Sequence, residues 1–236
     1  VIATEDNTVV NINLSGNSYN HIANSPFTVT LNAGQCYQVQ SINIDTDLSG
    51  STITANDNKK IAVFAGNICN RVPHEEEGRD HMMEQMIPTP HWGNEFIITN
   101  SLLRTSDRVR VTALNNDCEI IKDGILLTTI NARETYEFEI TSSSPVTYLE
   151  TSEPSSVFLY STGAWYGGMD GDPSMVIVNP LNQRINKAKF STYYIDGSQN
   201  HFINIVTNTN NVTNIMLNDN SISNTFNIVP SNPNYS

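Results

Sequence analysis

The feature that most constrains this 236-residue chain is that part of its text comes round again. Ala3-Thr4-Glu5-Asp6-Asn7-Thr8-Val9-Val10-Asn11-Ile12 resembles Thr112-Ala113-Leu114-Asn115-Asn116-Asp117-Cys118-Glu119-Ile120-Ile121. Leu31-Asn32-Ala33-Gly34-Gln35-Cys36-Tyr37-Gln38-Val39 matches Ile130-Asn131-Ala132-Arg133-Glu134-Thr135-Tyr136-Glu137-Phe138. Each copy then reaches an apolar stretch ending in glycine, Ile61 to Gly66 and Val157 to Gly163. This alignment sets Val9 over Cys118 and Tyr37 over Tyr136. A third copy starts at Phe202, with Asn210 to Ile215 followed by the hairpin-like Leu217-Asn218-Asp219-Asn220. Modules with one apolar face must cover one another, so tandem β-sandwich-like packing is expected. The expected division is a first β module over 1–100, a second over 101–185, and 186–236 as the start of a third or as completing strands.

Periodicity supports an all-β fold. Phe27-Thr28-Val29-Thr30-Leu31, Val109-Arg110-Val111-Thr112-Ala113 and Tyr136-Glu137-Phe138-Glu139-Ile140 alternate apolar with polar residues, as half-buried strands do. Ile61 to Ala65 and Met175 to Val178 are continuous apolar runs and read as strands covered on both sides. Ser49-Gly50, Asp123-Gly124 and Asp196-Gly197 are turn signals between them. One segment departs from this pattern. Between Pro73 and Pro90 there is no alternation, and an acidic cluster, Glu75 to Glu77, precedes His81-Met82-Met83-Glu84-Gln85-Met86. That hexapeptide is the best helix candidate in the chain, with Asp80 placed to cap it. One short helix or long loop is therefore expected near 74–90.

Composition narrows the function classes. The net charge is −12, from 24 acidic and 12 basic residues, which argues against nucleic acid and anionic membrane as partners. Charged residues make up only 15% of the chain, so Asn, Ser and Thr carry its solubility. No apolar run is long enough to span a bilayer. A first residue of Val rather than Met reads as a mature form or a fragment. Cys36, Cys69 and Cys118 show no C-x-x-C spacing, which speaks against a zinc or thioredoxin-type site, and all three are expected to be unbridged.

The series Lys60-Ile61-Ala62-Val63-Phe64-Ala65-Gly66-Asn67, Asp80-His81-Met82-Met83-Glu84-Gln85-Met86, Trp92-Gly93-Asn94-Glu95-Phe96, Asp107 to Ala113 and Gly171-Asp172-Pro173-Ser174-Met175-Val176 is similar to the N-terminal domain of the IgG Fc-binding protein family. The likeness runs from Val1 to about Leu181. It implies an extracellular or cell-surface, non-enzymatic adhesion or protein-binding module of a secreted or surface protein. Few cysteines and abundant Asn and Ile fit a bacterial, Bacteroidetes-type member. The resemblance also implies a second cysteine just before Asp80 as partner of Cys69; Arg79 stands there, so that disulfide is lost.

Four constellations carry candidate chemistry. Asp80, His81 and Glu84, with His74 and His91 nearby, offer metal ligands on a helix, or else a cap and packing. Asp170 and Asp172, flanking Gly171, offer hard oxygen ligands for Ca²⁺, or else a tight turn into a strand. Trp165, Tyr166 and Trp92 present aromatic faces to a ligand, a sugar in the alternative reading as a carbohydrate-binding module, or else anchor loops. Cys69 beside a histidine is the weak candidate for a nucleophile. No G-x-S-x-G is present and none of the five histidines sits in a triad context, so no catalytic residue and no cofactor is assigned. The expected ligand is an extracellular protein or glycan.

Overall fold

A computed structural model describes residues 1–43, 46–74, 78–163, 171–192 and 201–236. The chain is all-β, with 45% of these residues in strands or bridges and 7% in short 3-10 turns. The N-terminal region holds β1 (Ile2–Ala3), β2 (Thr8–Asn13), β3 (Phe27–Leu31), β4 (Thr52–Ala55), β5 (Ile61–Ala62), β6 (Phe64–Arg71) and β7 (Arg79–Gln85). The central region holds β8 (Gly93–Thr99), β9 (Ser106–Ala113), β10 (Cys118–Lys122), β11 (Ile125–Ile130), β12 (Thr135–Thr141), β13 (Val146–Ser161) and β14 (Ser174–Val178). A two-residue hairpin, β15 (Met216–Leu217) and β16 (Asn220–Ser221), lies near the end. Its corner is Asn218-Asp219, both with positive φ, which Asn and Asp tolerate at low steric cost.

The central sheet is organised by the 16-residue β13. Its first part, Val146–Glu150, pairs with β8, and Leu149–Thr151 pairs with β10. Its second part, Ser155–Ser161, pairs with β9, and Val157–Ser161 pairs with β14. The partner change falls across Ser152-Glu153-Pro154, where a proline with no N–H to offer interrupts the ladder. One strand thus serves both layers, and the sheet curls around Phe96, Ile98, Val109, Val111, Cys118, Ile120, Phe138, Leu149 and Val157, all buried. β8 belongs by its pairing to this sheet, although the sequence division assigns it to the first module.

The N-terminal region uses a matching set of main-chain bonds. Ala3 N–H donates to Gln35 O at 3.1 Å, and Ala113 N–H donates to Glu134 O at 3.2 Å. Asn32 N–H donates to Gln35 Oε1 at 2.8 Å, and Asn131 N–H donates to Glu134 Oε2 at 2.7 Å. Ala33 N–H reaches Asp6 Oδ1, and Ala132 N–H reaches Asn116 Oδ1, both at 3.0 Å. Thr8 pairs with Leu31 as Cys118 pairs with Ile130. Thr8, not Val9, therefore stands in the place of Cys118, one residue away from the sequence alignment. In a strand one residue exchanges the inner face for the outer. Thr8 is fully buried there because its hydroxyl donates to Glu5 O at 2.7 Å. Tyr37 and Tyr136 do stand in matching places, two residues past Gln35 and Glu134, where each shared turn pattern ends.

Three expectations are overturned. Residues 81–86 do not form a helix: Arg79–Gln85 is strand β7, paired with β6 from Phe64↔Gln85 to Arg71↔Arg79. Met82 is buried and Met83 is exposed, an alternation that helix-favouring Met, Glu and Gln do not announce. Among the described residues the longest helical piece is instead the 3-10 turn Thr209–Asn214. The apolar run Ile61 to Ala65 is not covered on both sides, since every residue of β6 is exposed.

The two regions are tied by charge. Arg110 of β9 reaches Asp47 Oδ2 at 3.0 Å, Ser49 Oγ at 3.1 Å and Glu137 Oε2 at 3.0 Å, and stacks over Tyr160. Arg133 Nε donates to Gly50 O at 2.7 Å. Burial works against the Asp47 carboxylate, but hydrogen bonds from Ser49 and the Arg110 guanidinium hold its pKa below the ordinary range. All three cysteines are free, with Cys36 and Cys69 exposed and Cys118 buried.

Candidate functional site

One open concave feature lies where two similar chain turns come side by side. β7 runs on through Met86 and Ile87 to Pro88 and the 3-10 turn Thr89–His91. β14 runs on through Asn179 to Pro180 and the 3-10 turn Leu181–Gln183. Both turns begin at an extended proline, which fixes φ and blocks the strand from continuing. Both are closed by the same bond: His91 N–H donates to Pro88 O, and Gln183 N–H donates to Pro180 O, each at 2.9 Å. The strands entering them also match, because Met86 N–H donates to Val63 O while Val178 pairs with Val157.

β7 lies next to β14, and Gly93 packs directly on Pro180. A Cβ at residue 93 would sit 2.5 Å from Pro180 Cβ, so only glycine permits this approach. Between the two turns an open groove of about 410 Å³ remains, lined by Ile87, His91, Asn179, Gln183 and Ile185. Its floor is packed, with Trp92, Phe96, Val157, Val178 and Pro180 closing the space beneath. The walls are two aliphatic side chains and three polar ones. Ile185 is 76% exposed, so its apolar surface is open to water in the groove.

The Trp92 indole Nε1 donates to Ile87 O at 2.9 Å, and its ring is half-buried at the base of this groove. Trp165, Tyr166 and Asp170 lie outside the described residues, as do Glu75 to Glu77. Asp172 is exposed. On β7 the side chains of Asp80 and Glu84 share one face and His81 takes the other. Asp80 Oδ1 accepts from His81 N–H at 2.7 Å and lies 3.0 Å from His81 Nδ1, and these bonds lower the Asp80 pKa. His81 is 75% exposed. Among the described residues no three His, Cys, Asp or Glu side chains converge on a common point. Among them, too, no helix is long and apolar enough to cross a membrane.

Asn179, Gln183 and Ile185 went unmarked in the sequence. The signal was an apolar strand followed by x-Pro-x-x-x, present at both Met86-Ile87-Pro88-Thr89-Pro90-His91 and Val178-Asn179-Pro180-Leu181-Asn182-Gln183. It was masked because the first occurrence reads as helix and loop.

The chain matches, over residues 1–236, the family described as IgGFc binding protein. Among curated proteins nothing matches. Among solved structures, an anti-sigma factor domain-containing protein aligns at 10% identity with a TM-score of 0.23, over 77% of this chain and 81% of its own. A score that low carries no structural argument.

Proposed function

This chain belongs to the IgGFc binding protein family, and from that premise we propose that it is a non-enzymatic, protein-binding module of an extracellular adhesion protein. The observation that carries the reading is the open groove between the Pro88 and Pro180 turns. Its aliphatic walls, Ile87 and Ile185, stand among the polar side chains His91, Asn179 and Gln183. An apolar centre with a polar surround is the make-up of a protein interface. The complementary ligand is a protein segment that inserts an uncharged apolar side chain and offers main-chain groups to the two amides. The extracellular placement rests on the family likeness.

The test is binding to immobilised IgG Fc and, separately, to proteins captured from native secretions, followed by groove variants against whichever ligand is found. Ile185→Asp and Gln183→Ala should each weaken binding at least tenfold with an unchanged melting temperature. Undiminished binding by both variants would remove the groove from the reading. Selective binding on a glycan array, lost in Gln183→Ala, would move the ligand from protein to carbohydrate.

A further inference from the structure

The segment that leaves the groove is charged against the trend of the chain. Beyond the Pro180 turn, residues 182–192 are exposed throughout. They hold Arg184, Lys187 and Lys189, in a chain with 12 basic residues and 24 acidic ones. No acidic residue stands between Asp172 and Asp196. None of the groove walls, Ile87, His91, Asn179, Gln183 and Ile185, is acidic either. An anionic group that approaches here meets no carboxylate on the wall it must touch.

The three cations are not equivalent. Arg184 is engaged: its Nη1 donates to Asn208 Oδ1 at 2.6 Å, and its guanidinium lies 5.9 Å over the Tyr235 ring. It pins the root of the segment. Lys187 and Lys189 have no carboxylate or hydrogen-bond partner among the described residues. Other lysines do: Lys59 donates to Asp6 O and Asn7 O, and Lys122 lies 3.3 Å from Asp123 Oδ2. Ile185, a wall of the groove, stands two residues before Lys187 and four before Lys189. An extended chain advances at most about 3.6 Å per residue, so their Cα atoms lie within roughly 7 and 14 Å of that of Ile185. Charges are screened over about 8 Å in physiological salt, so these two act on a ligand seated in the groove and little beyond it.

We infer that the protein segment bound in the groove is acidic: one apolar side chain enters between Ile87 and Ile185, and carboxylates within a few residues of it pair with Lys187 and Lys189. The inference rests on the groove being a protein-binding site and adds the charge of the partner. Exposed ion pairs contribute little affinity one by one. Their effect is on association rate and on the rejection of basic ligands, which meet two unpaired cations at the rim. A polyanion such as nucleic acid is bound by an extended array of Lys and Arg, and two lysines on a chain of net charge −12 are not such an array. Two lysines fit two carboxylates beside an apolar anchor.

The probe is a short fluorescent peptide of glycine and serine with a central isoleucine flanked on both sides by glutamates, read by anisotropy. Companion peptides carry glutamine or lysine in place of the glutamates, or serine in place of the isoleucine. The glutamate peptide should bind about tenfold tighter than the lysine peptide, and the difference should shrink as salt rises. Lys187→Glu combined with Lys189→Glu should invert that order at an unchanged melting temperature, and the double Lys→Arg variant should keep it. Equal binding of the glutamate, glutamine and lysine peptides, lost with the isoleucine, would overturn the inference and leave the groove reading standing. A glutamate preference that ignores the isoleucine and survives Gln183→Ala would overturn the groove reading and the joint site with it. Binding of none of the peptides would overturn the inference. So would binding of a sulfated glycan in their place, lost in the same double Lys→Glu variant, which would assign the two cations to a polyanion.

Discussion

β6 and the second part of β13 carry similar text and occupy matching places, yet one is bare and the other is among the best-covered strands in the molecule. Phe64 and Phe158 each follow a valine in a strand laddered on one edge to β7 or β14. The difference lies on the opposite edge. β9 brings Val109 and Val111, both fully buried, and closes the curled sheet over Phe96 and Leu149. Among the described residues no strand does this for β6, and the N-terminal core is correspondingly smaller, resting on Ala3, Val10, Ile12, Leu14 and Leu31. Apolar sequence is therefore not what buries a strand. A neighbour on each edge and a layer on its face are what bury it.

The largest expected contrast is in thiol reactivity. Cys36 and Cys69 should react at once with a water-soluble thiol reagent under native conditions. Cys118, fully buried in the central sheet, should lag by about three orders of magnitude if it is reached only through unfolding. Three thiols should titrate in denaturant. A fast native Cys118 would show that the central region opens as readily as the N-terminal one.

Next comes the matched aromatic pair. Phe158→Ala should cost about 3–4 kcal/mol in urea unfolding, and Phe64→Ala about 0.5 kcal/mol or less. Similar losses would mean that β6 is covered in solution by something the isolated chain supplies.

A smaller effect is expected where the two regions touch. Arg110→Ala removes a partly exposed guanidinium from Asp47, Ser49 and Glu137 and should cost about 1 kcal/mol. A double-mutant cycle with Asp47→Asn should return a coupling of about 0.5 kcal/mol. Zero coupling would leave the regions joined only by chain and packing.

The smallest effect is in the pH dependence of that contact. Asp47 has a lowered pKa in the folded state, so its stabilisation is present above the ordinary carboxylate range, about pH 4, and is lost as pH falls through the lowered value. Asp47 is more than half exposed, and screening keeps the contribution to about 0.5 kcal/mol at most. The melting-temperature advantage of the parent over Asp47→Asn should be present at neutral pH and gone by about pH 2. An advantage that grew in acid would reverse the sign.

The order of strands and the tight turns could be read directly. Asn32 to Gln35 and Asn131 to Glu134 are local devices, each closed by a side chain three residues away, so their text carries their geometry. β7 could not be read in this way. Met82 to Met86 has the residues of a helix, and only the ladder to β6 makes it a strand. The groove was half-visible: Trp92 and His91 drew notice, while Asn179, Gln183 and Ile185 did not, because they acquire meaning only when the second proline turn lies against the first.

By itself the sequence determined that this chain is all-β, that its turns recur, and that its family is one of binding proteins. Those properties depend on alternation, on residues that tolerate positive φ, and on ordered motifs, all of which are local. Only the tertiary structure decided that Thr8 rather than Val9 matches Cys118, that β13 serves two layers, and that β6 is exposed along its length. A strand's hydrogen-bonding groups point sideways to partners far away in sequence, so neither register nor edge is written in the strand itself.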